Sequence, residues 1–170
     1  TKGIKHPEVV AAMANVPRHL FVDDELTRLS YDDIPLPIGY QQTISQPFIV
    51  ALMSEKLIAG SARRRTVLEI GTGCGYQTAI LAHLYERVCS IERIRPLYER
   101  AGITLGTLRL NNVELRYGDG YYGWNGQSKF DSIILTAAPD HVPLTVMTQL
   151  APGGCLVAPV GKPMDQRLRI

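Results

Sequence analysis

The chain reads as an α/β fold: a doubly wound, mostly parallel sheet preceded by an N-terminal helical and extended arm. From Thr66 onward, short apolar runs rich in β-branched residues alternate with helix-forming stretches, the pattern of βαβ units. The first run, Thr66–Ile70, breaks into a turn with glycine at every second position (Gly71, Gly73 and Gly75), and a helix follows at once. The next two runs end on Glu92 and on Gly118-Asp119-Gly120, so three such ends fall where open α/β sheets bind ligands.

Taken in order, residues 7–16 place Val9, Met13 and Val16 on one face and stop at Pro17, which predicts a helix. Arg18–Phe21 leads into a polar segment, residues 23–28. Pro35, Pro37 and Gly39 disfavour a regular helix, so residues 34–44 are expected to form an extended, irregular arm, long for a connector. Ser45 or Gln46 then caps a helix with Pro47 in its first turn; Ile49, Leu52, Met53 and Leu57 line its buried face and Gly60 ends it. The core continues through strand Thr66–Ile70, a helix at 77–84, a strand at 87–91 closing in Glu92, and a helix at 96–110 weakened by Gly102 and Gly106. Strands at Val113–Tyr117 and 130–136, a short helix at 143–150 and a strand at 155–160 follow, and a sixth strand begins at Arg167. That strand runs out at Ile170, so a closing edge strand and the natural C-terminus are expected beyond it. Residues 1–60 are read as helices and substrate arm and residues 61–170 as the ligand-binding core, together one domain.

Composition excludes several classes. Eighteen basic against sixteen acidic residues leave a net charge of +2, too small to argue for a nucleic-acid or membrane surface. The three cysteines, Cys74, Cys89 and Cys155, have neither disulfide-framework nor zinc spacing, which points to a reducing, cytoplasmic home. No apolar run approaches the ~18 residues of a membrane span. His6, His19, His83 and His141 are scattered without metal-ligand spacing, so no metal is expected. Trp124 is expected to pack inside the loop after the third core strand.

The glycine spacing separates cofactor classes. Dinucleotide sites use G-x-G-x-x-G with the pyrophosphate on the helix N-terminus, whereas this turn is E-I-G-T-G-C-G with Glu69 two residues before the first glycine. A carboxylate there would repel a pyrophosphate and attract the amino group or sulfonium of S-adenosylmethionine. Glu92, 21 residues beyond Gly71, is spaced to accept hydrogen bonds from ribose hydroxyls. Asp119 can hold an adenine amino group, and Gly120 allows close approach.

Four segments, T-I-S-Q-P-F-I-V-A-L-M from Thr43, G-T-G-C-G-Y-Q-T-A from Gly71, G-D-G-Y-Y-G-W from Gly118 and I-L-T-A-A-P from Ile134, together with Y-D-D-I-P-L-P-I-G from Tyr31, resemble the protein-L-isoaspartate O-methyltransferase family of bacterial type over about residues 16–160. The resemblance implies a Rossmann-like methyltransferase fold and methyl transfer from S-adenosylmethionine to the α-carboxyl group of L-isoaspartyl residues. The ester then collapses to a succinimide, which begins repair. It also implies Ser45 as the catalytic serine, with Thr43, Ile44, Gly71, Gly73, Glu92, Asp119 and Gly120 at cofactor-contacting positions and Phe48 near the cofactor. With their neighbours Glu69, Thr72, Gly75, Gln77 and Arg93, these make up the expected donor site. The expected partners are isoaspartyl proteins and peptides, with neither nucleic acid nor membrane, and a monomer. Gln41 stands where many relatives have glycine, and Asp23-Asp24 where proline is more usual. The alternatives are a carboxyl methyltransferase for another peptide substrate and a non-catalytic cofactor-binding module.

Overall fold

A computed structural model describes residues 3–126, 129–137, 139–161 and 167–170. Helix α1 (Pro7–Asn15) is followed by two 3₁₀ turns, Arg18–Phe21 and Asp24–Leu29, and by strands β1 (Leu36–Gly39) and β2 (Gln42–Ile44). The core then runs α2 (Pro47–Gly60), β3 (Thr66–Ile70), α3 (Tyr76–Ala82), β4 (Arg87–Glu92), α4 (Arg95–Thr107) and β5 (Val113–Tyr117). A 3₁₀ turn (Gly120–Tyr122), β6 (Phe130–Leu135), α5 (Leu144–Met147), β7 (Leu150–Val160) and β8 (Arg167–Arg169) complete it.

The main sheet has the order β5-β4-β3-β6-β7-β8, parallel throughout except for β8, which pairs antiparallel with β7. The chain moves outward from β3 to β5, then returns to lay β6 on the other side of β3. The order reverses there, and the carboxyl ends of β3 and β6 open a crevice. Side-chain alternation divides the core between the two faces. Val67, Val88, Ile134 and Val157 join a cluster with residues of α1, α2, α3 and α4. Leu68, Cys89, Ile133, Leu135 and Ala158 face the other way, under Trp124 and Val146 of α5. Trp124 is therefore a packing residue, 2% exposed with Arg116 over its ring at 3.9 Å.

Two expectations need correction. The arm at 34–44 is not irregular: β1 and β2 form an antiparallel hairpin, Leu36 opposite Ile44 and Gly39 opposite Gln42. Its two-residue loop, Tyr40-Gln41, has φ of 53° and 58°, the type I′ signature that suits the twist of a hairpin. Sequence hides this turn because neither residue is the usual glycine or asparagine. Leu36, Ile38 and Ile44 are buried beneath the hairpin, and Arg100 of α4 donates to the Ile38 carbonyl at 2.5 Å. The helix expected at 143–150 shrinks to Leu144–Met147, because β7 begins at Leu150 and runs through the A-P-G-G stretch. A bulge there pairs Leu150 with Phe130 but Cys155 with Ser132.

The hairpin loop yields a stability test. Gln41→Gly is expected to raise the melting temperature modestly. It removes a left-handed penalty of roughly 1–2 kcal/mol, against about 0.4–1 kcal/mol of added unfolded-chain freedom. Gly39→Ala, at φ 87°, is expected to lower stability by about 1–2 kcal/mol. Calorimetric melts of the two variants check this, and a Gln41→Gly protein that melts below the parent contradicts the turn assignment.

Candidate active site

The site starts from the turn after β3. Gly71, Gly73 and Gly75 all have positive φ (100°, 57° and 93°), so the chain doubles back in a conformation that side chains resist. A Cβ on Gly71 would also sit 2.6 Å from the Thr136 hydroxyl oxygen. Four of the turn's five N–H groups are occupied. Gly71 and Thr72 donate to the Ile91 carbonyl at 2.9 and 3.2 Å, and Gly75 donates to the Thr72 carbonyl at 2.9 Å. Gly73 donates to Glu92 Oε2 at 2.8 Å, while Ile94 donates to Glu92 Oε1 at 2.8 Å. A turn whose N–H groups are spent on a carboxylate and on main-chain carbonyls is poorly suited to cradle a phosphate.

Two adjoining chambers share Gln42, Gly71, Glu92 and Ala137. The smaller, about 80 Å³, is lined by Thr43, Ile44, Ser45, Thr72, Gly73, Tyr76, Gln77 and Thr136, with Ile38, Val50 and Met53 as apolar wall. The larger, about 310 Å³, is lined by Arg93, Asp119, Gly120 and Tyr121 between Ile70, Ile91, Ile94, Leu135 and Val146. Glu92 stands at their junction, 5% exposed. Each of its oxygens accepts one backbone N–H and keeps a lone pair for a ligand hydroxyl. Asp119 Oδ1 accepts from Tyr121 N–H at 2.9 Å, which fixes its carboxylate at the mouth of the larger chamber.

Ser45 answers a question the sequence left open. The N-cap of α2 is Gln46, with no side-chain cap hydrogen bond, so Ser45 is not a helix cap. Its hydroxyl has no partner among the described residues, and the residue lines the smaller chamber. Its main-chain carbonyl is held instead, by the Arg18 guanidinium at 2.9 Å.

Ten of the thirteen expected donor-site residues line one chamber or the other. Glu69, Gly75 and Phe48 do not. Glu69 is 0% exposed because strand alternation turns it under α3, where Thr78 and Ser90 donate to its Oε2 at 2.5 and 2.6 Å. Burial pushes its pKa up to about 8, against the opposing pull of those two hydroxyls. It is therefore mostly neutral at neutral pH and does not present a carboxylate to a sulfonium. Its link to the cleft is a hydroxyl chain, since Thr72 Oγ1 and Ser90 Oγ lie 2.5 Å apart. Gly75 opens α3 and packs against Leu105 and Ala101. Phe48 turns away into a groove with Val10, Met13 and Pro47, its N–H on Asp33 Oδ1 at 2.8 Å. Residues the sequence did not single out, Gln42, Tyr76, Thr136 and Ala137, complete the lining. Thr136 follows a strand and Gln42 adjoins T-I-S, so position was the one signal that could have found them. Arg18 lay in a stretch that read as a lead-in to a polar segment.

Glu69 generates a pH prediction. The folded protein holds a proton that an ordinary carboxyl, near 4.5, releases in the unfolded chain. This contribution is complete at low pH and is lost as pH rises toward about 8. Glu69→Gln is expected to remove a falling slope of up to about 1.4 kcal/mol per pH unit across that window. Urea unfolding at a series of pH values measures it, and parallel curves for parent and variant contradict a neutral Glu69.

Comparison with known proteins follows the same line. A family model described as protein-L-isoaspartate(D-aspartate) O-methyltransferase matches residues 1–170. A protein-L-isoaspartate O-methyltransferase of Hahella chejuensis is 50% identical over 168 residues, spanning 99% of this chain and 79% of that protein. Its Synechococcus counterpart is 53% identical over 161 residues, 95% of this chain and 65% of that one. That of Burkholderia vietnamiensis is 54% identical over 164 residues, 96% of this chain but 53% of the relative's own length. A solved protein-L-isoaspartate O-methyltransferase superimposes with a TM-score of 0.83 at 33% identity, over 94% of this chain and 52% of that one. A Plasmodium falciparum beta-aspartate methyltransferase in complex with S-adenosyl-L-homocysteine shares the fold, with a TM-score of 0.82 at 24% identity over 98% of this chain and 83% of that one. Matched from end to end, and half-identical to its curated relatives, the chain belongs to the protein-L-isoaspartate(D-aspartate) O-methyltransferase family.

Proposed function

We propose that the chain transfers a methyl group from S-adenosylmethionine to the α-carboxylate of L-isoaspartyl residues in proteins and peptides, and so starts their repair. The observation that carries this is the Ser45 hydroxyl, free of any cap and set in the same chamber as the glycine turn and Glu92. The donor fits the residues present. Glu92 retains acceptor capacity for ribose hydroxyls, the larger chamber has apolar walls for a flat base with Asp119 at its mouth, and the turn offers a pyrophosphate none of the four N–H groups accounted for above.

Bound S-adenosylmethionine supplies an electrophilic methyl group on a sulfonium. The acceptor carboxylate, with an ordinary pKa of about 4, is already ionised at neutral pH, so the protein has no proton to remove. Its work is placement. Ser45 donates to the carboxylate and orients it, while Ile38, Ile44, Val50 and Met53 exclude water from the chamber. Alignment of this kind is worth roughly 7–11 kcal/mol. The three cysteines are free and buried, which agrees with action in a reducing cytoplasm. A monomer completes the same reading. Among the described residues no helix is long and apolar enough to cross a membrane.

The decisive assay incubates the protein with radiolabelled methyl donor and paired peptides that differ only in isoaspartate against aspartate, then counts base-released methanol. Labelling confined to the isoaspartyl peptide is expected; equal labelling of the pair, or none, sinks the reading. Ser45→Ala is expected to lower kcat about 10²-fold with the donor Kd unchanged. Glu92→Ala is expected to act in reverse, raising the donor Kd first. Equilibrium dialysis beside steady-state kinetics separates the two, and a collapse of donor affinity in Ser45→Ala would move Ser45 into the donor site.

A further inference from the structure

Arg18 is 1% exposed, and among the described residues no carboxylate lies within ion-pair distance of it. Burying a guanidinium without a paired counterion is expensive, and among the described residues one of its nitrogens, Nη1, is buried without a hydrogen-bond partner. The remaining donors are committed to main chain. Nε donates to the Ser30 carbonyl at 2.6 Å and Nη2 to the Ser45 carbonyl at 2.9 Å. The cation also lies over the Tyr76 ring, 4.8 Å from its centroid. Ser30 is itself anchored, fully buried with its hydroxyl on the Thr27 carbonyl at 2.7 Å. Ser45 and Tyr76, at the other end, both line the smaller chamber.

We propose that Arg18 is a positioning residue for methyl transfer: its rigid fork braces the Ser45 carbonyl against the anchored Ser30 turn and so sets the direction of the Ser45 hydroxyl. This rests on the role given to Ser45 above. Among the described residues the Ser45 side chain has no partner of its own, so its main chain fixes where the hydroxyl can reach. That main chain lies between the end of β2, where Ile44 pairs with Leu36, and the N-cap of α2. Arg18 is the side chain that holds the carbonyl at this junction. A planar, always-charged fork can bond two carbonyls in fixed relative geometry while stacking on a ring, which a lysine cannot reproduce. A full charge with no carboxylate in ion-pair contact, Asp33 acting on it only from further off, also leaves a positive field behind the chamber that receives an anionic acceptor.

The test is a double-mutant cycle in the full chain, read with the isoaspartyl peptide. Arg18→Met is expected to lower kcat about 10²-fold while the donor Kd stays at the parent value. Arg18→Lys, which keeps the charge and loses the fork, is expected to fall between parent and Arg18→Met. In a Ser45→Ala background the further loss on adding Arg18→Met is expected to vanish, because the hydroxyl it positions is gone. If Arg18→Met fails to fold, the same cycle is run with Arg18→Lys. Additive losses, or parental kcat in the single variants, overturn the proposal. Loss of donor binding in both variants assigns Arg18 to the scaffold and overturns it as well. A parent protein that labels the isoaspartyl and aspartyl peptides alike defeats the functional reading itself, whereas a discriminating parent with additive variants defeats this proposal alone.

Discussion

One carboxyl group ties the cleft together. Glu92, at the end of β4, receives the N–H of Gly73 from the turn after β3 and the N–H of Ile94 from the start of its own loop. That arrangement fixes the spacing between two strand ends and sets a carboxylate where a phosphate would have to sit. It also leaves the carboxyl's remaining lone pairs at the junction of two chambers. Charge-assisted hydrogen bonds to a group that is 5% exposed are among the stronger polar contacts a fold can use. The glycines alone would give a turn of the right shape. With the carboxylate seated in it, the turn becomes selective for what it admits.

The second polar system lies behind the first and works differently. Glu69, Thr78, Ser90 and Thr72 form a buried chain of short hydrogen bonds between the sheet and α3. Burial lifts the Glu69 carboxyl toward neutrality, so the chain organises the rear of the turn without placing a fixed charge there. Two acids that look equivalent in the sequence, 69 and 92, thus take opposite roles. Period-two alternation turns one under a helix, and a strand end leaves the other at the junction of the two chambers.

The sheet was legible because the core strands carry apolar runs and end in polar or glycine-bearing turns, and three of those ends line the two chambers. The hairpin was not, because Tyr40 and Gln41 adopt left-handed conformations that sequence rules reserve for other residues. The long β7 was hidden by Pro152, Gly153 and Gly154, which read as a turn but form the bulged start of a strand. Arg18 was missed for a more general reason. A buried cation bonded to carbonyls 12 and 27 residues away has no local signature, since its partners are main-chain groups supplied by other segments. Phe48 shows the limit of carrying a role over by resemblance, because the helix it begins directs it toward α1 and out of the cleft.

The hairpin has a consequence for how such a protein can change. Thr43, Ile44 and Ser45, which line the smaller chamber, belong to a two-stranded sheet or its edge, while the glycine turn and Glu92 on its other wall belong to the six-stranded one. The two sheets are separate ladders, joined through packing and a few hydrogen bonds such as that from Arg100 to Ile38. Substitutions that reshape the small ladder leave the register of the large one untouched. One wall of the smaller chamber can therefore drift in sequence while the strand register behind the glycine turn and Glu92 stays fixed.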